Sequence, residues 1–231
     1  MLFFDPLYFV VMVASLLVSL GAQAWVLTAI RSQAVVPMRS GLTGGQVARM
    51  VLRASGLAEV RLALSEGWLT DHYDPSTRTL RLSPDNYYGT SVAAAGIAAH
   101  EAGHAIQDAR RYWPMALRQR LVPAANVGTQ LGVLLVVVGL AMRALGVAEL
   151  GVLTFAGFVL FTLVTLPVEI DASRRARTAL AQSGAFAPDE LAGIGRVLRA
   201  AAATYVAGAL TAIMQLLYFA ARVAGARRRN S

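Results

Sequence analysis

The chain has 231 residues, of which 56% are hydrophobic and 15% are charged, and its mean hydropathy is +0.54. Soluble domains carry about 25% charged residues, so this composition excludes an ordinary soluble domain and predicts an integral membrane protein. The net charge of +8 comes from arginine alone because the sequence has no lysine, and the absence of cysteine excludes disulfides, thiolate metal sites and cysteine nucleophiles.

The arginines flank long apolar runs, which is typical of membrane topology signals and not of a nucleic-acid surface. The first run, from Leu7 to Ile30, is uncharged and lies between Asp5 and Arg31. At ~1.5 Å per helical residue it covers a hydrocarbon core of ~30 Å, so we expect a spanning helix. A cleaved signal peptide is disfavoured because the run is long and no basic residue precedes it.

Arg31 to Arg120 is the one long segment polar enough to fold in water, and its patterns predict a small α+β unit. The predicted elements, in order, are a helix capped by Thr43 and closed by Gly56, a strand over residues 60–64, the segment Gly67 to Tyr73 leading into a turn at residues 74–77, a strand over residues 79–83 ended by Pro84, and a helix capped by Thr90 or Ser91.

The last of these helices contains the pattern H-E-x-x-H, from His100 through Glu101 to His104. Residues four apart lie on one face of a helix, so the two imidazoles can bind one ion while Glu101 acts on water beside them. Because the pattern is short and occurs by chance, two ordinary helix histidines are the alternative. The apolar helix favours the metal site, because a charged Glu101 there is costly unless a cation compensates for it.

Three further apolar runs follow the zinc-type motif. Leu121 to Met142 and Leu150 to Val168 are each long enough to span and are separated by a short polar break at residues 143–149, so they predict a helical hairpin in the bilayer. A basic segment over residues 174–199 comes next, with a small polar loop that contains Gly184 and Pro188. The last run, Ala200 to Ala221, is rich in alanine and either spans the bilayer or packs along the other helices.

The arginine distribution predicts the topology. Residues 31–120 and 174–199 hold 16 of the 21 arginines, which places both segments in the cytoplasm and the amino terminus outside. The four arginines after residue 221 disagree, because they would lie outside if the last run crosses. Either that run does not cross fully, or the first helix sets the orientation and the tail is tolerated.

A catalytic zinc usually takes three protein ligands and keeps a fourth position for water, so the two histidines leave one ligand to find. Glu169 is the favoured candidate, because it ends the third apolar run and returns to the cytoplasmic side in this topology. Its alternative role is to end the span and pair with Arg174 or Arg175. Asp171 is the nearest rival. His72, the third histidine, is a ligand only if its loop folds over the metal.

Together these features resemble the YugP-type membrane zinc metallopeptidases, a bacterial family, from about Pro37 to Phe219. Several sequence blocks in the same order are far more specific than the zinc motif alone. The blocks are residues 69–75 (LTDHYDP), 80–83 (LRLS), 99–107 (AHEAGHAIQ), 122–126 (VPAAN), 166–169 (LPVE), 171–176 (DASRRA) and 203–206 (ATYV). The resemblance strengthens the fold and the metal more than the substrate.

The chain is also similar, more distantly, to membrane peptidases of the HtpX and CAAX-processing type. In those proteins a glutamate of a later helix completes the zinc site in the pattern E-x-x-A-D-R. Glu169 and Arg174 fall at that spacing, but Ser173 stands where the pattern has aspartate. That aspartate orients the first motif histidine in the relatives, which leaves Asp171 or Asp108 to take over here.

The resemblance implies hydrolysis of a peptide bond with a Zn²⁺ cofactor. Glu101 takes a proton from a zinc-activated water and passes it to the leaving amine. Tyr205, His72 and Arg174 are candidates for a further oxyanion donor, and none is favoured over the others.

A substrate strand could add to the sheet next to the active helix. The strand from Thr79 to Ser83, through Leu80, Arg81 and Leu82, is a candidate edge for an extended substrate. A purely structural strand is the alternative.

The predicted fold class is a mainly α integral membrane protein with three to four transmembrane helices and a small α+β zinc-peptidase segment between the first and second, in one domain over residues 1–231. The predicted function is that of a zinc endopeptidase, multi-pass in the bacterial cytoplasmic membrane, with its active site facing the cytoplasm. It acts on membrane or membrane-associated proteins.

The sequence disfavours two functions other than that of a peptidase. A catalytically inactive metal-binding scaffold would not need Glu101 between the two histidines. An ion transporter is disfavoured, because the polar residues of the second run lie near one end. The expected partners are a protein or peptide substrate and the lipid bilayer, with no nucleic acid. Assembly with further copies of the chain or with a membrane partner stays open.

Overall fold

The computed structural model describes residues 5–67 and 70–230 of the chain. Leu69, the first residue of one block that carries the resemblance, and Trp68, in the segment predicted to lead into the turn, lie outside the described residues. The described elements are α1 (Pro6–Ala34), α2 (Gly44–Ala54), β1 (Arg61–Leu64), β2 (His72–Asp74), β3 (Thr79–Leu82), α3 (Pro84–Tyr88), α4 (Val92–Ala109), α5 (Trp113–Val127), a π-helical segment (Gly128–Gly132), α6 (Val133–Ala141), α7 (Leu145–Ser183) and α8 (Pro188–Asn230).

Four helical stretches are long and apolar enough to cross a membrane by length and composition, namely Pro6–Ala34, Trp113–Ala141, Leu145–Ser183 and Pro188–Arg229. The mainly helical membrane fold class is therefore confirmed, with four candidate spans and a three-stranded sheet. The second stretch begins at Trp113, before the predicted Leu121, and it contains the π-helical segment.

The small polar loop predicted with Gly184 and Pro188 is confirmed, because α7 ends at Ser183 and α8 begins at Pro188. The arginines on either side of this loop lie within the two helices, so most of residues 174–199 is helical. Arginine is a good helix former, and the buried residues Ala172, Ala176 and Leu180 continue an apolar stripe at helical spacing beyond the apolar run. Charge marked the end of the apolar run correctly, but it did not mark the end of the helix.

The chain forms two compact units, which are described separately. The first, here called the helical unit, comprises Met1–Gln23, Ala116–Leu166 and Thr204–Ser231. The second, here called the mixed unit, comprises Ala24–Met115 and Pro167–Ala203 and contains the sheet.

Aromatic and small residues pack the helical unit. Its core includes Phe155, Val159 and Phe219. A Cβ at Gly139 of α6 would lie 2.4 Å from the backbone nitrogen of Ala148 in α7. The two helices therefore meet at a distance that only glycine allows. Small residues of this kind are typical of helix contacts in membranes.

The carboxyl-terminal tail has acidic neighbours within the helical unit. Arg222 lies 3.3 Å from the Asp5 carboxylate, and Arg227 lies 3.7 Å from that of Glu149. Helix α8 is unbroken through Arg222 and Arg227. The last apolar run therefore extends to Asp5, at the start of α1. This geometry favours a full fourth span, with part of the positive charge of the tail offset by carboxylates.

The sheet of the mixed unit has the strand order β1-β3-β2. Strand β3 pairs with β1 in parallel and with β2 in antiparallel orientation. The prediction that Leu80, Arg81 and Leu82 form a free sheet edge is therefore wrong, because their strand is central. Alternation of apolar residues shows which face of a strand is buried, but it does not show how many neighbouring strands it has. The edge strands of this sheet are β1 and β2.

Helix α4 is buried on nearly all sides, which its alanine and glycine content allows. The Ser91 hydroxyl accepts a hydrogen bond from the Ala94 backbone N–H at 3.1 Å, which caps the helix as predicted. A Cβ at Gly103 would lie 2.4 Å from the carbonyl oxygen of Ala172 in α7. Gly103 therefore sets the close approach of α4 to α7.

We expect Gly103→Ala to lower the apparent melting temperature of the purified protein in detergent, because overpacking of this kind typically costs ~1–3 kcal/mol. Gly96→Ala on the same helix is the matched control, since its added Cβ would meet Ile194 at an ordinary 3.4 Å and alanine favours helix. Equal melting temperatures for the two variants would contradict the close contact at Gly103.

Candidate metal centre

Three side chains from α4 and α7 converge within the mixed unit. His100 and His104 come from α4, and Glu169 comes from α7. The Glu169 Oε2 atom lies 3.2 Å from Nε2 of His100 and 3.5 Å from Nε2 of His104. Over the described residues, these three form the group of histidine, aspartate and glutamate side chains that could hold a metal ion.

The separations of these atoms fit a common ion. Two ligands at ~2.0–2.1 Å from a tetrahedral zinc lie ~3.3–3.4 Å apart, and the two measured distances bracket that value. Two imidazole nitrogens and one carboxylate oxygen are a donor set that zinc accepts, with the fourth position left for water or substrate. Glu169 is 2% exposed and His104 is 7% exposed, so the ligand set is largely shielded from solvent.

Gln107 fixes the tautomer of His104. The Gln107 amide nitrogen donates to the Val168 carbonyl oxygen at 2.7 Å and to Asp171 Oδ2 at 2.9 Å, so both of its hydrogens are used. Its oxygen lies 3.0 Å from Nδ1 of His104 and can only accept. His104 must then carry its proton on Nδ1, which leaves the lone pair of Nε2 for a metal.

The pKa of His104 reflects its neighbours. Burial lowers this pKa, whereas the hydrogen bond to Glu169 and the charge of Glu101 raise it, and the net pKa lies above the ordinary value. The negative charges around the ring therefore outweigh its burial. The same charges favour a bound cation.

Ser173 occupies the position next to His100 that the sequence left unexplained. Its Oγ lies 3.1 Å from Nδ1 of His100, so the serine hydroxyl itself contacts the first histidine. Neither carboxylate proposed for this role does so. Asp171 accepts a hydrogen bond from Gln107, which in turn contacts His104, so its link to the centre is indirect. Asp171 also accepts hydrogen bonds from Arg174 and Arg175.

Asp108 has a different partner. It accepts a hydrogen bond from the Tyr73 hydroxyl at 2.9 Å, and burial together with this bond raises the pKa of Tyr73. The prediction that Asp108 orients a ligand histidine is therefore wrong. Asp108 lies on the same side of α4 as His104, four residues later, but its carboxylate bonds to Tyr73 of β2.

Glu101 lies beside the ligands and is 9% exposed. No hydrogen bond or ion pair from the described residues engages its carboxylate. A largely buried carboxylate without such a partner is available to accept a proton from water.

The remaining candidates lie outside the ligand group. His72 is exposed on β2, with Nδ1 2.8 Å from the Thr70 carbonyl oxygen. The Arg174 side chain is 75% exposed and binds Asp171. Tyr205 belongs to the helical unit. Their predicted roles as oxyanion donors stay predictions.

Sequence reasoning missed Gln107 and the role of Gly103. The available signals were a glutamine three residues after His104 in a largely apolar helix and a glycine inside that helix, where glycine normally costs about 1 kcal/mol relative to alanine. Neither signal identifies its partner, because Val168, Asp171 and Ala172 lie more than sixty residues further along the chain.

Known proteins resemble this chain over almost its whole length. The family model described as "Putative neutral zinc metallopeptidase" matches residues 8–224. The "Putative membrane protease YugP" of Bacillus subtilis (strain 168) is 39% identical over 213 residues, which are 92% of this chain and 95% of that protein. No solved structure matches the chain.

We expect Gln107→Leu to weaken zinc binding by about 10- to 100-fold, because it frees the His104 tautomer and leaves the ligand ring unsupported. Competition with a chelator of known affinity measures this effect. His100→Ala should abolish stoichiometric binding, and His72→Ala should leave it unchanged. If Gln107→Leu binds zinc as tightly as the wild type, the tautomer lock does not contribute.

Proposed function

The chain belongs to the family of neutral zinc metallopeptidases, and we propose that it is a zinc-dependent endopeptidase that hydrolyses peptide bonds of membrane or membrane-associated proteins. The observation that carries this proposal is the convergence of His100, His104 and Glu169, with the unengaged carboxylate of Glu101 beside them. A site that only stored a metal would not need a buried carboxylate at that position.

The donor set fits zinc, which when bound supplies a Lewis acid for the scissile carbonyl and for water. Glu101 accepts a proton from the attacking water, whose oxygen bonds to the carbonyl carbon. The same carboxyl then delivers that proton to the amide nitrogen as the C–N bond breaks, so one residue serves both proton transfers. Glu101 ends the cycle as a carboxylate.

The residues around the ligands prepare the site for this chemistry. Gln107 keeps the Nε2 lone pair of His104 facing Glu169, and Ser173 holds the ring of His100 by Nδ1. Asp171 anchors Gln107 and is itself anchored by Arg174 and Arg175. The groups of such a site are in position before the reaction begins. Electrostatic stabilisation by preorganised groups is usually the largest single contribution to catalysis. Arg174, His72 and Tyr205 are the side chains we propose to test as oxyanion donors.

We further propose that the protein lies in the bacterial cytoplasmic membrane as a four-span protein with its zinc site on the cytoplasmic side. The support is the concentration of arginines in residues 31–120 and 174–199. The tail arginines, which opposed this topology, have carboxylate neighbours at Asp5 and Glu149. Offsetting their charge lowers the cost of placing the tail outside.

Glu101→Gln should keep its zinc and lose cleavage of a model membrane substrate by ~10²–10⁴-fold or more, because the amide cannot accept the proton. Glu66→Gln, which makes the same change at an exposed position, is the control. Metal content and cleavage are measured on the same preparation. Unchanged cleavage by zinc-replete Glu101→Gln would remove this mechanism, and simultaneous loss of zinc would make Glu101 structural.

The topology is testable with single cysteines, since the chain has none of its own. Ser76→Cys and Ser183→Cys are both at exposed positions and should react with a membrane-impermeant thiol reagent only after the cells are opened. Labelling of either variant in intact cells would contradict the cytoplasmic placement.

A further inference from the structure

Helices α7 and α8 enclose a groove of about 910 Å³ within the mixed unit. None of the three candidate ligands and no acidic side chain lines it, although Ser173 does. Its wall combines arginines with apolar residues. The residues used below are Ile170, Arg174 and Arg177 of α7 and Leu198, Arg199 and Ala202 of α8.

The groove lies on the face of α7 opposite the metal-binding helix. The face that meets α4 carries the buried residues Val168, Ala172 and Ala176. The groove face carries Ile170 and Arg174, each two residues further along the chain. At ~100° per residue, a shift of two residues is a rotation of about 200°. Most of the groove therefore faces away from α4, and only its edge at Ser173 approaches the candidate metal centre.

Two guanidinium groups meet at one point of the groove. A Cβ at Gly195 would lie 3.2 Å from Nη1 of Arg199 and 3.6 Å from Nε of Arg177, so the glycine leaves room for both. Among the described residues, no carboxylate pairs with either arginine, whereas Arg174 is paired with Asp171. Two converging like charges repel each other, and a bound anion would relieve that repulsion.

The apolar residues of the groove wall adjoin, in the sequence, the apolar runs of two candidate spans. Ile170 follows the apolar run that ends at Val168, and Ala202 lies at the start of the run from Ala200. A small soluble anion would need the arginines but not this apolar wall. A phospholipid needs both, because its phosphate is anionic and its acyl chains are not.

We propose that the groove between α7 and α8 binds an anionic phospholipid, with Arg177 and Arg199 on the phosphate and the acyl chain along Ile170, Leu198 and Ala202. Guanidinium groups bind phosphate through paired, charge-assisted hydrogen bonds. Basic pockets between membrane helices on the cytoplasmic side are known binding places for anionic headgroups.

Native mass spectrometry of the full-length protein in detergent, titrated with phosphatidylglycerol, tests this directly. Each arginine near a lipid phosphate contributes about fivefold in affinity, so Arg177→Gln/Arg199→Gln should bind about 30-fold more weakly than the wild type. Arg53→Gln/Arg110→Gln removes the same charge from exposed positions outside the groove and should change the affinity by no more than about twofold. Equal weakening in the two double variants would overturn the site.

Gly195→Leu supplies a second variant, because its side chain would displace the two guanidinium groups from the place where they converge while both arginines remain. It should also weaken phosphatidylglycerol binding, and wild-type affinity in this variant would overturn the proposal. Phosphatidylcholine should bind at least tenfold more weakly, and inorganic phosphate at equal concentration should not displace the lipid. Equal binding of phosphatidylcholine, or displacement by phosphate, would overturn the assignment to an anionic lipid. None of these measurements uses proteolysis, so they stand or fall independently of the proposed peptidase activity.

Discussion

The metal centre depends on the contact of α4 with α7 at Gly103. Glu169 can share a site with His100 and His104 only if the two helices approach closely, and the carbonyl oxygen of Ala172 occupies the place where a Cβ at residue 103 would be. A helix made largely of alanine and glycine offers such a contact, because its surface is flat and its backbone is accessible to a neighbour. The zinc-type motif therefore does two things, since its side chains supply ligands while one of its unspecified positions sets the helix spacing.

A second constraint is the hydrogen-bond chain that runs from the arginines of α7 to the metal ligands. Arg175 binds Asp171, Asp171 accepts from Gln107, and Gln107 accepts from His104. The oxygen and both hydrogens of the Gln107 amide are engaged, and a satisfied buried polar network is stabilising and specific. The Asp171 carboxylate therefore acts on His104 indirectly, through the Gln107 amide. His100 is contacted directly by the Ser173 hydroxyl.

The arginines of α7 and α8 serve more than topology. Arg174 and Arg175 bind Asp171 beside the candidate metal centre, and Arg174 also lines the groove together with Arg177 and with Arg199 of α8. One helical segment thus presents one polar face to the candidate metal centre and a basic, partly apolar face to the groove. This division follows from the 3.6-residue period, which sends neighbouring residues of one basic cluster to different surroundings.

The sequence alone determined the membrane class and the helix with the zinc-type motif, and it narrowed the cap to Thr90 or Ser91 and favoured Glu169 as the third candidate ligand, because apolar run length, helical spacing and capping chemistry are local properties. It offered Asp171 or Asp108 as the partner of the first motif histidine, where the structure has Ser173, and a candidate sheet edge at Leu80, Arg81 and Leu82, where the strand is central. Strand order, the partner of Gln107, the Ser173 contact and the continuation of α7 through its arginines were decided only by the tertiary structure. Each depends on which residues distant in the chain become neighbours, and a hydrogen-bonding or apolar side chain does not specify its partner until packing supplies one.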